Sequence, residues 1–187
     1  MDKRSIAVYA VFLFIILLWT SLIFIPPIAA LNGDEELAYG FYSFHSGFCH
    51  QILNRSYCIF SDGTVGDCIT DNTVVGERFA LTGRPHYVEI DGLKGWELGV
   101  CSRDVAIYLG ILIGAVVYPF FRKLDDTRVP PAIFYVIALI PIALDGGTQI
   151  IGWRESTNFL RLVTGFIAGF PIAFYLMPMF NISLLKK

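Results

Sequence analysis

Charge is scarce in this chain: Asp, Glu, Lys and Arg make up 16% of its 187 residues, against 55% hydrophobic residues, and the mean hydropathy is +0.61. So apolar a composition excludes an ordinary soluble domain and points to a membrane. Other absences narrow the function. There is no Gly-rich phosphate loop, no dinucleotide fingerprint and no Cys-x-x-Cys pair. No cysteine falls in a long apolar run, and between Asn32 and Ser102 ten acids stand against four basic residues, Arg55, Arg78, Arg84 and Lys94. That balance excludes a nucleic-acid surface.

Four apolar runs are long enough to cross a hydrocarbon core of about 30 Å, which takes about 20 helical residues. They are residues 5–31, 105–121, 132–150 and 162–180, and Asp145 is the one charge inside them. The expected fold is an all-α integral membrane bundle of four spans, with residues 1–187 as a single membrane domain. A cleaved signal peptide is the rival reading of the first run, which is longer than the usual apolar region of about 7–15 residues and carries Ile28 where a small residue belongs. Lys3 and Arg4 precede the first span, Arg122, Lys123 and Arg128 fill the turn after the second, and Lys186 and Lys187 follow the fourth. Basic flanks stay cytoplasmic, so both termini are expected inside the cell membrane, with residues 32–104 as a large extracytoplasmic segment.

Within that segment, residues 36–55 place Leu37, Phe41, Phe44, Phe48 and Ile52 near one helical face, the pattern of an interfacial helix. Residues 73–92 alternate around a Thr-Gly-Arg-Pro turn and predict a small β-hairpin.

All four cysteines, Cys49, Cys58, Cys68 and Cys101, lie in the same segment. An extracytoplasmic compartment permits disulfides, and two bonds are expected, although four cysteines allow three pairings. Cys58 and Cys68 flank a turn-rich stretch and make the natural local pair, leaving Cys49 and Cys101. A metal reading competes for the second pair. If residues 44–53 are helical, His45 and Cys49 share a face, and His50, Cys101 and Asp104 are further ligands for zinc, a weak signal that matches no familiar zinc module. A third reading is thiol redox exchange. His86, inside the hairpin, is expected to be solvated.

Asp145 and Gln149 are four residues apart on one face of the third span. A carboxylate at membrane depth must be paired or hydrated, so it marks either a site or an ion pair with Arg103 or Arg161. Arg55, Arg103, Arg154 and Arg161 gather near the outward helix ends, which suits an anionic lipid headgroup or a small acidic ligand, or else simple snorkelling. Gly110 with Gly114, and Gly165 with Gly169, form small-residue faces for helix packing or oligomerisation.

The stretches CHQILNRSY (49–57), GVCSRDVAIYLG (99–110) and DGGTQIIGWRESTNFLRLVTG (145–165) resemble a family of small, uncharacterised prokaryotic multi-pass membrane proteins. The resemblance marks Cys49, His50, Arg55, Ser56, Cys101, Arg103, Gly110, Asp145, Gln149, Asn158 and Arg161. Leu53 and Asn54 stand where the family usually has Pro-Glu, and Asp104 replaces the second cysteine of Cys-x-Arg-Cys, offering an oxygen ligand in place of sulfur. No activity comes with the resemblance. The expectation is therefore a polar ligand-binding or catalytic cluster at the extracytoplasmic boundary, made of His45, Cys49, His50, Arg55, Cys101, Arg103, Asp145, Gln149, Asn158 and Arg161. The alternatives are a structural or assembly subunit, a transporter and a thiol-redox protein.

Overall fold

A computed structural model describes residues 3–78 and 82–185. The chain divides into two compact units, one made of the residues up to Thr20 with Ala106–Ser156 and those from Leu160 onward, the other of Ser21–Val105 with Thr157–Phe159.

Among the described residues, four helical stretches are long and apolar enough to cross a membrane: Lys3–Leu22, Ser102–Phe121, Ala132–Ile150 and Asn158–Ser183. The first apolar run does not continue as one helix to residue 31. Helix α1 (Lys3–Leu22) ends in a turn, and a short α2 (Ile25–Leu31) begins anew with Pro26 and Pro27 in its first turn. Proline lacks an N–H and fits only where that donor is unneeded, so the pair ends one helix and opens the next. Helices α4 (Ser102–Phe121) and α5 (Ala132–Ile150) each run unbroken. The last apolar run is α6 (Asn158–Gly169) and α7 (Ile172–Leu185), separated at Phe170 and Pro171 for the same reason.

In the helical unit, Ile16, Ala115 and Ala173 form one buried cluster and Tyr118, Leu124 and Met177 another. The buried Asn181 donates to the carbonyls of Leu124 at 2.7 Å and Asp126 at 2.9 Å, tying the turn after α4 to α7. The glycines permit the closest approach. A methyl on Gly110 would lie 2.9 Å from the Phe166 carbonyl oxygen, and one on Gly169 would lie 2.2 Å from that of Ile107. Such backbone contact needs small residues on both helices.

The second unit corrects the all-α expectation. It holds α3 (Glu35–Ser46) and an antiparallel five-stranded sheet: β1 (Tyr57–Phe60), β2 (Val65–Asp67), β3 (Thr73–Val75), β4 (Tyr87–Ile90) and β5 (Leu93–Glu97), in the order β2-β1-β5-β4-β3. The expected hairpin is present as β3 with β4, with Val74 opposite Glu89, but it is one edge of a larger sheet. β4 pairs β5 through the tight Asp91-Gly92 turn, and β5 pairs β1 with Ile59 opposite Trp96. Strands of three to five residues are too short for alternation to declare itself in sequence. Cys58 of β1 is disulfide-bonded to Cys68, the residue after β2, beside buried Leu53, Phe60 and Val88.

Helix α3 is also shorter than the periodicity of residues 36–55 suggests. Asp34 caps its start by accepting from the Leu37 N–H at 3.1 Å. Gly47 closes it, and the amides of Phe48 and Cys49 converge on the His45 carbonyl at 2.9 and 3.0 Å. Ala38 and Tyr42 bury one face against Ala29, Ala30 and Trp96, while Leu37, Phe44 and Phe48 stay exposed.

Candidate functional site

The early end of α3 decides what the His-and-Cys-rich run can do. His45 and Cys49 do not share a helical face, because residues 47–52 leave the helix and Gln51 turns the chain with a positive φ of 47°. That conformation is uncommon for a residue with a side chain. It is held by the buried Gln51 amide, which donates to the carbonyls of Tyr42 at 2.9 Å and Gly99 at 3.0 Å. His45 is packed inside, its ring against Gly99 and its Nδ1 2.8 Å from the Phe41 carbonyl. Burial lowers its pKa below the ordinary imidazole value, with the Phe41 contact pulling the other way. His45 therefore leaves the set of proposed zinc ligands as a packed histidine.

The same turn delivers Cys49 to Cys101. Both are free thiols here, Cys49 buried and Cys101 half-buried, so the expected second disulfide is not formed. The Cys101 N–H donates to Cys49 Sγ at 3.2 Å, and the Cys101 thiol faces Asp104 Oδ2 at 3.1 Å. Asp104 is in the first turn of α4, three residues on from Cys101, the spacing that lets two side chains meet. One ligand atom from each of Cys49, Cys101 and Asp104 lies within 4.8 Å of the other two. Hydrogen bonding from the Cys101 thiol holds the Cys49 thiol below its usual pKa, against the effect of burial. Cys101 is pushed well up by sharing its proton with Cys49, by burial and by the Asp104 charge. The pair therefore holds a thiolate at Cys49 more readily than at Cys101.

These three residues line a cavity of about 230 Å³ together with His50 and Arg55. Two of the other expected site residues are nearby in sequence or contact. Ser102 Oγ lies 2.9 Å from both the Arg55 carbonyl and Asn158 Oδ1, with one proton to donate to either. The Asn158 amide in turn donates to the Ser56 carbonyl at 3.2 Å and Asp67 Oδ1 at 2.8 Å, so Asn158 is a buried strut. Arg103 sits half-buried in the first turn of α4. Asp145, Gln149 and Arg161 belong to the helical unit. There Asp145 is buried and accepts from Arg154 Nη2 at 2.8 Å.

Sequence reasoning missed a second polar group. His86, expected to be solvated, is fully buried, and its Nδ1 is hydrogen-bonded to the Glu97 carboxylate, itself fully buried. The Tyr42 ring stacks on the imidazole with centroids 4.1 Å apart and planes 3° apart, and the Tyr42 hydroxyl donates to the Glu97 carbonyl at 2.6 Å. Thr82 Oγ1 lies 2.6 Å from His86 Nε2. Burial raises the Glu97 pKa above the ordinary carboxyl value, and the bond to His86 pulls it back. The available signal was parity: His86 is two residues before the buried Val88, on the inward face of β4.

The comparisons agree with a membrane protein. The model of a family described as "Predicted membrane protein (DUF2085)" matches residues 92–175. The uncharacterized protein MJ1492 of Methanocaldococcus jannaschii is 36% identical over 184 residues, covering 96% of each chain. An uncharacterized protein of Methanothermobacter thermautotrophicus is 38% identical over 82 residues, covering 43% of this chain and 70% of its own. No solved structure matches. Near-complete coverage by the Methanocaldococcus relative, with the family match running from β5 through α4, α5 and α6 into α7, makes this chain a member of that family of membrane proteins.

Proposed function

We propose that this membrane protein presents a zinc-binding site on its extracytoplasmic side, with Cys49, Cys101 and Asp104 as ligands and His50 as the fourth. The observation that carries the reading is the approach of two sulfurs and a carboxylate oxygen to within 4.8 Å of one another. Ligands about 2.0–2.3 Å from a tetrahedral ion lie about 3.3–3.8 Å apart, so a small contraction would close the set around a cation. The donor set suits zinc, which takes sulfur, nitrogen and oxygen ligands.

Charge supports the same assignment. Two thiolates and a carboxylate overcompensate a divalent cation, and Arg55 on the cavity wall offsets the excess. His50 is exposed on the same wall and brings an imidazole nitrogen. The side of the membrane follows from the basic residues flanking the spans. The thiols must lose their protons to bind a metal, so affinity should rise with pH.

The test is elemental analysis with intact mass spectrometry of the full chain, purified in detergent and alkylated with and without a chelator. Zinc retained at about one per chain, two thiols alkylated only after chelation, and loss of zinc in Cys49→Ser and Cys101→Ser would support the site. A chain that retains no zinc and carries a second disulfide between Cys49 and Cys101 would overturn it in favour of a thiol–disulfide pair.

A further inference from the structure

A second cavity, of about 350 Å³, shares residues 48–51 with the first, and its wall also includes Ser46, Thr82 and Arg84. Thr82 is half-buried at its edge, so its hydroxyl is the part of the buried Thr82–His86–Glu97 series nearest to solvent. The series has a definite order. Glu97 meets His86 Nδ1, and His86 Nε2 meets Thr82 Oγ1 at 2.6 Å. A carboxylate on Nδ1 selects the tautomer whose Nε2 accepts, and an accepting Nε2 faces a hydroxyl donor.

The backbone makes the arrangement rigid. The Glu97 N–H donates to the His86 carbonyl at 3.0 Å, continuing the β4–β5 pairing and setting both side chains on one face. Tyr42 covers the imidazole and is itself tethered to the Glu97 carbonyl. The Thr82 hydroxyl is committed to the imidazole rather than to its own turn, since its contacts with the Arg84 backbone are both 3.4 Å. A base held by a buried carboxylate, with a hydroxyl at hydrogen-bond distance opening on a cavity, is the geometry of an activated nucleophile.

We propose that Thr82 is an acyl-accepting nucleophile, with His86 its general base and Glu97 a positioning residue, acting on a carboxylic ester whose anionic end meets Arg84. Thr82 Oγ forms a bond to the ester carbonyl carbon while its proton passes to His86 Nε2. Collapse of the tetrahedral species breaks the ester C–O bond, and the alcohol leaves with that proton. Water then attacks the acyl-threonine, giving a proton to His86. The carboxylic acid departs, and the proton returns to Thr82 Oγ. The sum is one ester and one water converted to one acid and one alcohol. Arg84 lies on the wall of the same cavity and near enough to Glu97 to act on its charge.

The test uses the full-length protein in detergent with a chelator present, so that the outcome is independent of the cation site. A fluorophosphonate probe, which phosphorylates an activated hydroxyl and releases fluoride, is applied and the modified residue located by peptide mass. Labelling is expected at Thr82, retained in Thr82→Ser, absent in Thr82→Val, and slowed by about 10²–10⁴-fold in His86→Gln. Protein that keeps the Cys58–Cys68 bond and its native melting transition yet carries no label at Thr82 overturns the proposal. Labelling of Thr82 at an unchanged rate in folded His86→Gln overturns it as well. If His86→Gln fails to fold, the Ser and Val pair at Thr82 decides.

Discussion

Replacing Gly114 by alanine measures how tightly the spans are sewn together. The new methyl carbon would lie 2.2 Å from the Phe170 carbonyl oxygen and 3.2 Å from its carbon. Close carbon–oxygen contacts settle at about 3.3–3.6 Å, so the two backbones must separate by roughly 1 Å. A gap of that size forfeits about a quarter to a half of each dispersion contact along the seam. The obstacle is backbone, which cannot rotate away as a side chain would, and this places the cost near the upper end of the overpacking range, about 3 kcal/mol. Alanine also favours helix over glycine by up to about 1 kcal/mol. Gly147→Ala removes that offset from the comparison, because it is also helical and has nothing within 4 Å of the added carbon. Reversible unfolding in mixed micelles, followed by helical circular dichroism, should place the Gly114 variant below the Gly147 variant by about 3 kcal/mol. That is about a hundredfold in the equilibrium constant. Equal stability of the two variants would refute the close approach and with it the seam between α4 and Phe170.

Two further outcomes follow from buried polar groups outside the spans. The folded-state pKa of His45 is lowered by burial, so the folded state favours the neutral ring; the contribution is present above the unfolded value and is lost as pH falls. Stability should decline below about pH 6.5 with a slope of up to about 1.4 kcal/mol per pH unit, and His45→Gln should remove that part of the decline in denaturant titrations across the range. Gln51→Leu leaves the carbonyls of Tyr42 and Gly99 without the donors they have at 2.9 and 3.0 Å. A loss of about 2–4 kcal/mol is expected, read as faster amide exchange in β5 and the end of α3; exchange rates unchanged from the parent would show that the turn is held by something else.

Particular residues show why parts of the site were legible and others were not. The Cys58–Cys68 bond could be read because a short turn-rich stretch brings its own ends together; its closure is a local property of the chain. The meeting of Cys49 with Cys101 spans 52 residues, and although both belonged to the expected cluster, their chemistry depended on where α3 stops. The amphipathic period through Ile52 argued for continuing the helix. Gly47 and the two amides converging on the His45 carbonyl ended it, and that cost His45 its place beside Cys49. His86 was misjudged because exposure statistics describe an average histidine, whereas this one has a carboxylate, a hydroxyl and a stacked tyrosine to satisfy it.

Membrane residence and the number of helices long and apolar enough to span were properties of the sequence alone, because the hydrocarbon core demands apolar helices of a minimum length wherever they pack. The breaks at Pro26, Pro27 and Pro171 were not legible in the same way, since Pro119, Pro141 and Pro178 lie inside helices and only the surrounding structure decides which proline ends one. Tertiary structure alone decided the five-stranded sheet, the meeting of Cys49, Cys101 and Asp104, and the order Thr82–His86–Glu97. Each of these depends on pairing between short segments far apart in the chain, where no local pattern is long enough to specify the partner.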